Sequence, residues 1–473
     1  MNSFVKFACG LALAAAAAAV PAQAQNLPPE VEAALARARV PRDAVSFLVL
    51  DADGKSAPRL SHRASVAVNP ASLMKLVTTY AALDILGPAF TWNTPVYTDG
   101  ILRDGILAGN VYIKGQGDPK LVVERLWLMV RRLRGLGIQR IGGDIVLDRS
   151  AFESVAQDPS VFDGEPLRPY NAAPDALLLN FKAVVMSFVP DRATGLAQIH
   201  TEPPLAGVRM QASVSLNPGD CADYRGALRA DFSDPAHIRF AGGYPASCGE
   251  RVWPMAYADP RSYAARAVLG LWQSVGGQLG GQVREGRVPA ELRAAFDNPS
   301  PALAEMVRDI NKHSNNVMAQ QLFLTLSLQQ RGTGTLDASR EILSRWWRER
   351  IGGADTPVLD NGSGLSRQER ISAQALGRML QIAWASPVMP ELLSSLPVVG
   401  VDGTLRRSRA RAAGAAHLKT GSLRDVSGVA GFVHGSSGKR YVLVAIANHP
   451  MPGVASAARP AIDALIDWVA RDK

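Results

Sequence analysis

Sulfur is scarce in this chain. Three cysteines occur among 473 residues, and Cys9 lies inside an apolar run near the N-terminus. The other two, Cys221 and Cys248, are too few for a thiolate zinc site, and no Cys-x-x-Cys or His-x-x-x-His spacing lies near them. Histidine is sparse as well. Its seven residues are scattered and no Gly-x-Ser-x-Gly occurs, which removes a Ser-His-Asp hydrolase from consideration. Long apolar runs are missing: after residue 20, no stretch is long and apolar enough to span a bilayer. There is no internal repeat, and no low-complexity tract beyond the alanine-rich start. Basic residues are in excess, for a net charge of +9, but apart from residues 406–411 they are dispersed. That reads as a solvated surface favouring anionic polymers, with no nucleic-acid module.

What is present begins with an export signal. Lys6 supplies a positive start, residues 8–20 an uncharged apolar run, and Ala22-Gln23-Ala24 a small-x-small cleavage site. The expected localisation is periplasmic, with cleavage after Ala24 and no integral membrane segment in the mature chain. In an oxidising compartment the two remaining cysteines, Cys221 and Cys248, are expected to pair as a disulfide.

The chain is too long for one compact core, so two or three domains are expected. Strand and helix patterns alternate at both ends. Residues 122–136 and 261–275 read as helices, and residues 302–311, 317–328, 338–349 and 376–384 continue the helical pattern. Residues 417–423, 427–434 and 441–448 read as strands, and residues 459–470 as a closing amphipathic helix. The resulting class is α/β (α+β). One domain draws on residues 25–89 and 261–473, with a strand-rich insert of one or two domains at residues 90–260 between them. The insert has the size of an ordinary domain.

Residues 69–88 form the segment on which the chemistry turns. Asn69 suits a helix N-cap, Pro70 the first helical position, and Gly87-Pro88 the stop. Leu73, Leu76, Val77, Tyr80 and Leu83 make an apolar face. Ser72 falls in the first turn, and Lys75, three residues on, shares its side of the helix. A serine hydroxyl needs a base, and a lysine serves once burial or a second cation lowers its pKa. Ser-x-x-Lys also occurs by accident at Ser3/Lys6 and Ser436/Lys439. Two further motifs follow the insert. Ser314-Asn315-Asn316 lies between two helical patterns, where it puts a hydroxyl and an amide into a cleft. Lys419-Thr420-Gly421 lies on a strand, with Lys419 and Gly421 on one face and Thr420 on the other, followed by Ser422.

Ser-x-x-Lys, Ser-x-Asn and Lys-Thr-Gly in this order resemble the serine penicillin-recognising enzymes. The long stretch between Ser72 and Ser314 exceeds what a class A β-lactamase places there. It resembles instead the class C low-molecular-mass penicillin-binding proteins, the D-alanyl-D-alanine carboxypeptidase/endopeptidase family. Further stretches carry the likeness: residues 109–119 (GNVYIKGQGDP), 142–148 (GGDIVLD), 360–367 (DNGSGLSR) and 396–405 (LPVVGVDGTL). The resemblance implies a serine β-lactamase/transpeptidase-like catalytic domain that needs no cofactor or metal. Its partners would be peptidoglycan peptides and β-lactam antibiotics. It implies Ser72 as acylated nucleophile, Lys75 as its base, and Ser314, Asn316 and Lys419 as catalytic partners. Thr420, Gly421 and Ser422 would bind substrate, and the oxyanion hole would be the backbone N–H groups of Ser72 and Ser422. Asn361 departs from the idealised Asp-Gly-Ser-Gly loop without touching a catalytic position. The alternatives are a serine β-lactamase and a non-catalytic cell-wall-binding protein of the same fold. Against the first stand the insert and Ser314, where class C β-lactamases carry tyrosine. Against the second stands the complete motif set.

The exported chain is expected to begin at Gln25. N-terminal sequencing of the mature protein checks this, and a chain still starting at Met1 would overturn it.

Overall fold

A computed structural model describes residues 26–154 and 158–472, so the expected signal segment lies outside the described residues. The central element is a five-stranded antiparallel sheet in the order 60–62, 45–51, 440–448, 426–434, 416–423. Both ends of the chain meet in it: Val45–Asp51 pairs along its length with Arg440–Asn448. The three inner strands, 45–51, 440–448 and 426–434, are nearly continuous apolar runs because both faces are covered. One face, with Phe47, Val49, Leu443 and Ala445, packs on the helices Pro29–Arg37 and Arg459–Ala470. The other, with Leu48, Val442, Val444 and Phe432, packs on Met74–Leu86, Leu303–His313, Asn316–Arg331 and Ala373–Trp384. Among the described residues no helix is long and apolar enough to cross a membrane.

The chain leaves this core after Trp92 and returns at Ser300. The two crossings lie side by side: Ser300 N donates to Trp92 O at 2.9 Å, Trp92 N to Ser300 Oγ at 3.0 Å. Between them a second hydrophobic core forms around several small sheets and the helices Val123–Gly135, Tyr224–Leu228 and Tyr263–Ser274. This corrects the expected insert boundary at residue 260. Tyr263, Ala267, Val268, Leu271 and Trp272 pack into the second core, and strands Val283–Glu285 and Ala294–Phe296 pair with Ile145–Asp148 and Val96–Thr98. A helical period shows that a segment has an apolar face but not which core that face meets. Cys221 and Cys248 are joined in a disulfide in the same region.

Two local expectations also change. Residues 176–189 read as one strand, but the strand begins at Ala183, after a turn at Asn180, Phe181 and Lys182 with φ of 40°, 55° and 53°. The segment around Ser72 is not one helix from Pro70. A 3₁₀ turn, Ala71–Leu73, precedes the α-helix Met74–Leu86. Ala71 has φ +47°, and its N–H is taken by Asn69 Oδ1 at 2.8 Å. Asn69 Nδ2 donates in turn to Ser366 O at 2.9 Å, tying the turn to the loop of residues 360–369.

Close backbone approach holds this turn from two sides. A Cβ on Gly364 would lie 1.9 Å from Ala71 O and 2.6 Å from Ser72 N, and Gly364 has φ +79°. A Cβ on Gly421 would lie 2.6 Å from Pro70 O, so the strand Ala416–Leu423 reaches the turn only because that residue is glycine. Gly364→Ala is therefore expected to lower the stability of the fold by about 2 kcal/mol or more, since both clash and backbone strain are imposed. Urea unfolding checks this, and a midpoint equal to wild type would overturn it.

Candidate active site

The 3₁₀ turn presents Ser72, half-buried, at the mouth of the helix that carries Lys75. Lys75 is 0 % exposed. Its Nζ meets three oxygens: Ser72 Oγ at 2.9 Å, Asn316 Oδ1 at 2.5 Å, and the Ser363 carbonyl. Asn316 is placed by the start of the helix Asn316–Arg331, whose cap is the Asn315 side chain accepting from Met318 N at 3.0 Å. Two of the three oxygens are carbonyls with no proton to give. A neutral amine donates to those two and turns its lone pair to the Ser72 hydroxyl.

A second lysine stands on the edge strand. Lys419 is 0 % exposed, and its Nζ donates to Ser314 Oγ at 2.9 Å and to Thr420 O at 2.8 Å. Ser314 ends the helix Leu303–His313 in a left-handed conformation, φ +56°, which swings its hydroxyl to that lysine. Thr420 lies on the other strand face, its Oγ1 2.7 Å from Thr404 Oγ1, and Ser422 beyond it is exposed.

Burial decides the electrostatics. It pushes Lys75 down to about 7, against the opposing pull of the Glu369 carboxylate. Burial likewise pushes Lys419 well below the ordinary lysine range, and the positive charge of Lys75 adds to the effect. Burial and a second cation were the two causes expected to lower the Lys75 pKa. Desolvation is the larger cause at both lysines. Glu369, 0 % exposed, is pushed up to about 7 by burial, with hydrogen bonds from Gly362 N and Asp360 N opposing.

Ser72, Ser314 and Ser422 lie where two clefts meet. One, of about 980 Å³, runs toward Phe162, Asp163, Tyr170 and Phe181. The other, of about 600 Å³, runs past Thr404 and Thr420 toward Arg407, Arg409 and Arg459. The structure thus brings together all eight sequence-selected site residues: Ser72, Lys75, Ser314, Asn316, Lys419, Thr420, Gly421 and Ser422. The two cysteines lie elsewhere, in the second core. Sequence reasoning missed three contributors. Segment 162–185 of the insert lines the first cleft, a contribution that none of the sequence motifs indicates. The Ser363 carbonyl receives Lys75, and a backbone group leaves no mark in a motif search. Asn361, expected to touch nothing catalytic, accepts from Ser363 N at 3.0 Å and Ser363 Oγ at 2.7 Å, and so holds the residue on which Lys75 rests.

Comparison with known proteins follows the same lines. The chain is 29% identical over 397 residues to a D-alanyl-D-alanine carboxypeptidase of Actinomadura sp. (strain R39), covering 78% of this chain and 71% of that protein. It is 24% identical over 395 residues to D-alanyl-D-alanine carboxypeptidase DacB of Haemophilus influenzae, covering 80% of each. Its fold is similar to the crystal structure of penicillin binding protein 4 of Haemophilus influenzae, with TM-score 0.73 and 19% identity over 94% of this chain and all of that one. It is also similar to Bd3459, a peptidoglycan endopeptidase of Bdellovibrio bacteriovorus, with TM-score 0.52 and 16% identity over 90% of this chain and 93% of that one. A family model spans residues 27–471, nearly everything after the alanine-rich start, and by that match the chain belongs to the D-Ala-D-Ala carboxypeptidase 3 (S13) family of peptidases.

Proposed function

We propose that this chain is an exported serine D-alanyl-D-alanine peptidase that acts on peptidoglycan stem peptides and is acylated by β-lactams. The observation that carries it is the Lys75 amine, wholly out of water, with two carbonyls on its N–H groups and Ser72 Oγ at 2.9 Å. The Ser72 oxygen attacks the carbonyl carbon of the penultimate D-alanine while its proton passes to Lys75 Nζ. The backbone N–H groups of Ser72 and Ser422 hold the oxyanion, and Thr420 and Ser422 take the terminal carboxylate. The tetrahedral species collapses, the C–N bond breaks, and the leaving amine takes a proton through Ser314. Lys419, hydrogen-bonded to Ser314 Oγ, keeps that hydroxyl oriented. Water then hydrolyses the acyl-enzyme.

The cleft on the Thr420 side favours a second reaction of the same centre. A departing D-alanine occupies little of its roughly 600 Å³, and Arg407, Arg409 and Arg459, against the single carboxylate of Asp463, are among the residues that line the remainder. Room and positive charge on the leaving-group side fit a second, anionic stem peptide, the leaving group of cross-link cleavage. The double variant Arg407→Glu/Arg459→Glu is expected to slow release of monomers from cross-linked dimers more than release of D-alanine from a pentapeptide. Equal losses on both substrates would overturn this reading.

The central test is intact-mass analysis after penicillin treatment. Wild type is expected to gain a lasting penicilloyl adduct and Ser72→Ala none. Lys75→Arg is expected to acylate more slowly by about 10²-fold or more, because arginine keeps the charge but cannot act as a base. Acylation needs neutral Lys75, whose folded pKa is lowered to about 7. The rate should therefore hold above about pH 7 and fall as the pH drops below it. An adduct on Ser72→Ala, or normal acylation of Lys75→Arg, would overturn these roles. An adduct lost within seconds would favour a β-lactamase.

A further inference from the structure

Glu369 is a buried carboxylate to which the proposed reaction assigns no part. It ends the loop of residues 360–369 and is 0 % exposed. Its Oε1 accepts from Gly362 N at 2.8 Å and Asp360 N at 3.3 Å. Its Oε2 is buried and has no hydrogen-bond partner among the described residues. A carboxylate half-satisfied in the core is costly unless its charge is used or neutralised. The loop that it clamps is the one that receives Lys75: Gly362 O accepts from Thr78 Oγ1 at 2.6 Å, and Ser363 O accepts from Lys75 Nζ. The charged groups around it are few. Lys75, on the helix Met74–Leu86, acts on its charge through space, with no hydrogen bond between the two side chains. Asp360 adjoins it on the same loop and is paired at 2.9 Å with Arg340 from the helix Leu336–Trp346. Arg370 Nη1 donates to its carbonyl oxygen at 2.8 Å, and Lys419 stands beyond Lys75.

We propose that Glu369 is a positioning residue for Lys75: it fixes the loop that offers Ser363 O to the amine, and its charge, set against the effect of burial, favours the protonated amine. The inference rests on the reading of Lys75 as the base. Each group bears on the other, since ionised Glu369 favours the ammonium and the ammonium favours ionised Glu369. In acid both groups hold protons and Lys75 cannot act. When Lys75 takes the Ser72 proton, an ammonium forms where there is no water, and the Glu369 anion is its countercharge.

Glu369→Gln keeps the acceptor for both backbone N–H groups and removes the charge. Two changes are expected in penicillin acylation followed by stopped flow. The acid limb should move down by about one pH unit, making the variant about tenfold faster relative to its own plateau on that limb. The plateau itself should fall several-fold, as Lys75 becomes a weaker base. A purely structural role would lower the plateau and leave the limb in place, and that result would overturn the proposal. Glu369→Asp, which keeps the charge, should keep the limb position.

A second measurement leaves Glu369 untouched and needs no turnover. The carboxylic-acid carbonyl band of buried Glu369, assigned by its loss in Glu369→Gln, should persist to higher pH in Lys75→Met than in wild type, because linkage is reciprocal. An unmoved band would overturn the coupling. If instead Lys75→Arg acylates normally, the base assignment fails while the infrared result still stands, so the two failures are distinguishable.

Discussion

An amine cut off from water is the constraint to which the rest of the site answers. An ammonium in an apolar interior is expensive, and the cost falls only if the group loses its proton or is surrounded by acceptors and countercharge. At Lys75 both remedies operate: burial drives the pKa down to about 7, and two carbonyls and a hydroxyl occupy the three directions around Nζ. Each partner comes from a different part of the chain. Ser72 lies on the preceding turn, Asn316 opens a helix beyond the insert, and Ser363 sits in an irregular loop. If any one were misplaced, a buried polar group would be left without its partner. Lys419 repeats the arrangement on the edge strand with Ser314 and Thr420 O.

Backbone proximity makes this assembly possible. Gly364 and Gly421 bring the loop and the edge strand against the Ala71–Leu73 turn at distances that any side chain would prevent. Asn69 completes the bracket with one bond inside the turn and one to Ser366. The sheet behind, buried on both faces, gives these contacts a rigid base. A turn carrying a left-handed alanine next to Ser72 persists because its surroundings over-determine it.

The insert has its own core, yet it is not remote from the chemistry. Its segment 162–185 forms one wall of the larger cleft, and Gln321, on the helix begun by Asn316, exchanges hydrogen bonds with Asp175 at 2.8 and 2.9 Å. The cleft on the opposite side is walled by the arginines that follow Thr404. Ser72 therefore lies where a cleft partly walled by the insert meets a cleft walled by the sheet domain.

The three motifs, the strands of the C-terminal sheet and the closing helix were legible in the sequence because each rests on local chemistry: a spacing, a period of two or 3.6, a capping residue. The cleft residues of the insert, the carbonyl of Ser363, the bracketing role of Asn361 and the buried charge of Glu369 were not, because nothing within a few residues marks them. The insert boundary failed for a related reason, since the helix Tyr263–Ser274 has the same apolar period whichever core it joins. By itself the sequence determined which side chains to expect at the site and the order in which they occur, since acid–base character and local spacing belong to the residues. Only the tertiary structure decided that both lysines lose water, that a backbone oxygen on the loop held by Glu369 meets one of them, and which clefts meet at Ser72. Desolvation and proximity are properties of the packed chain and have no local signature.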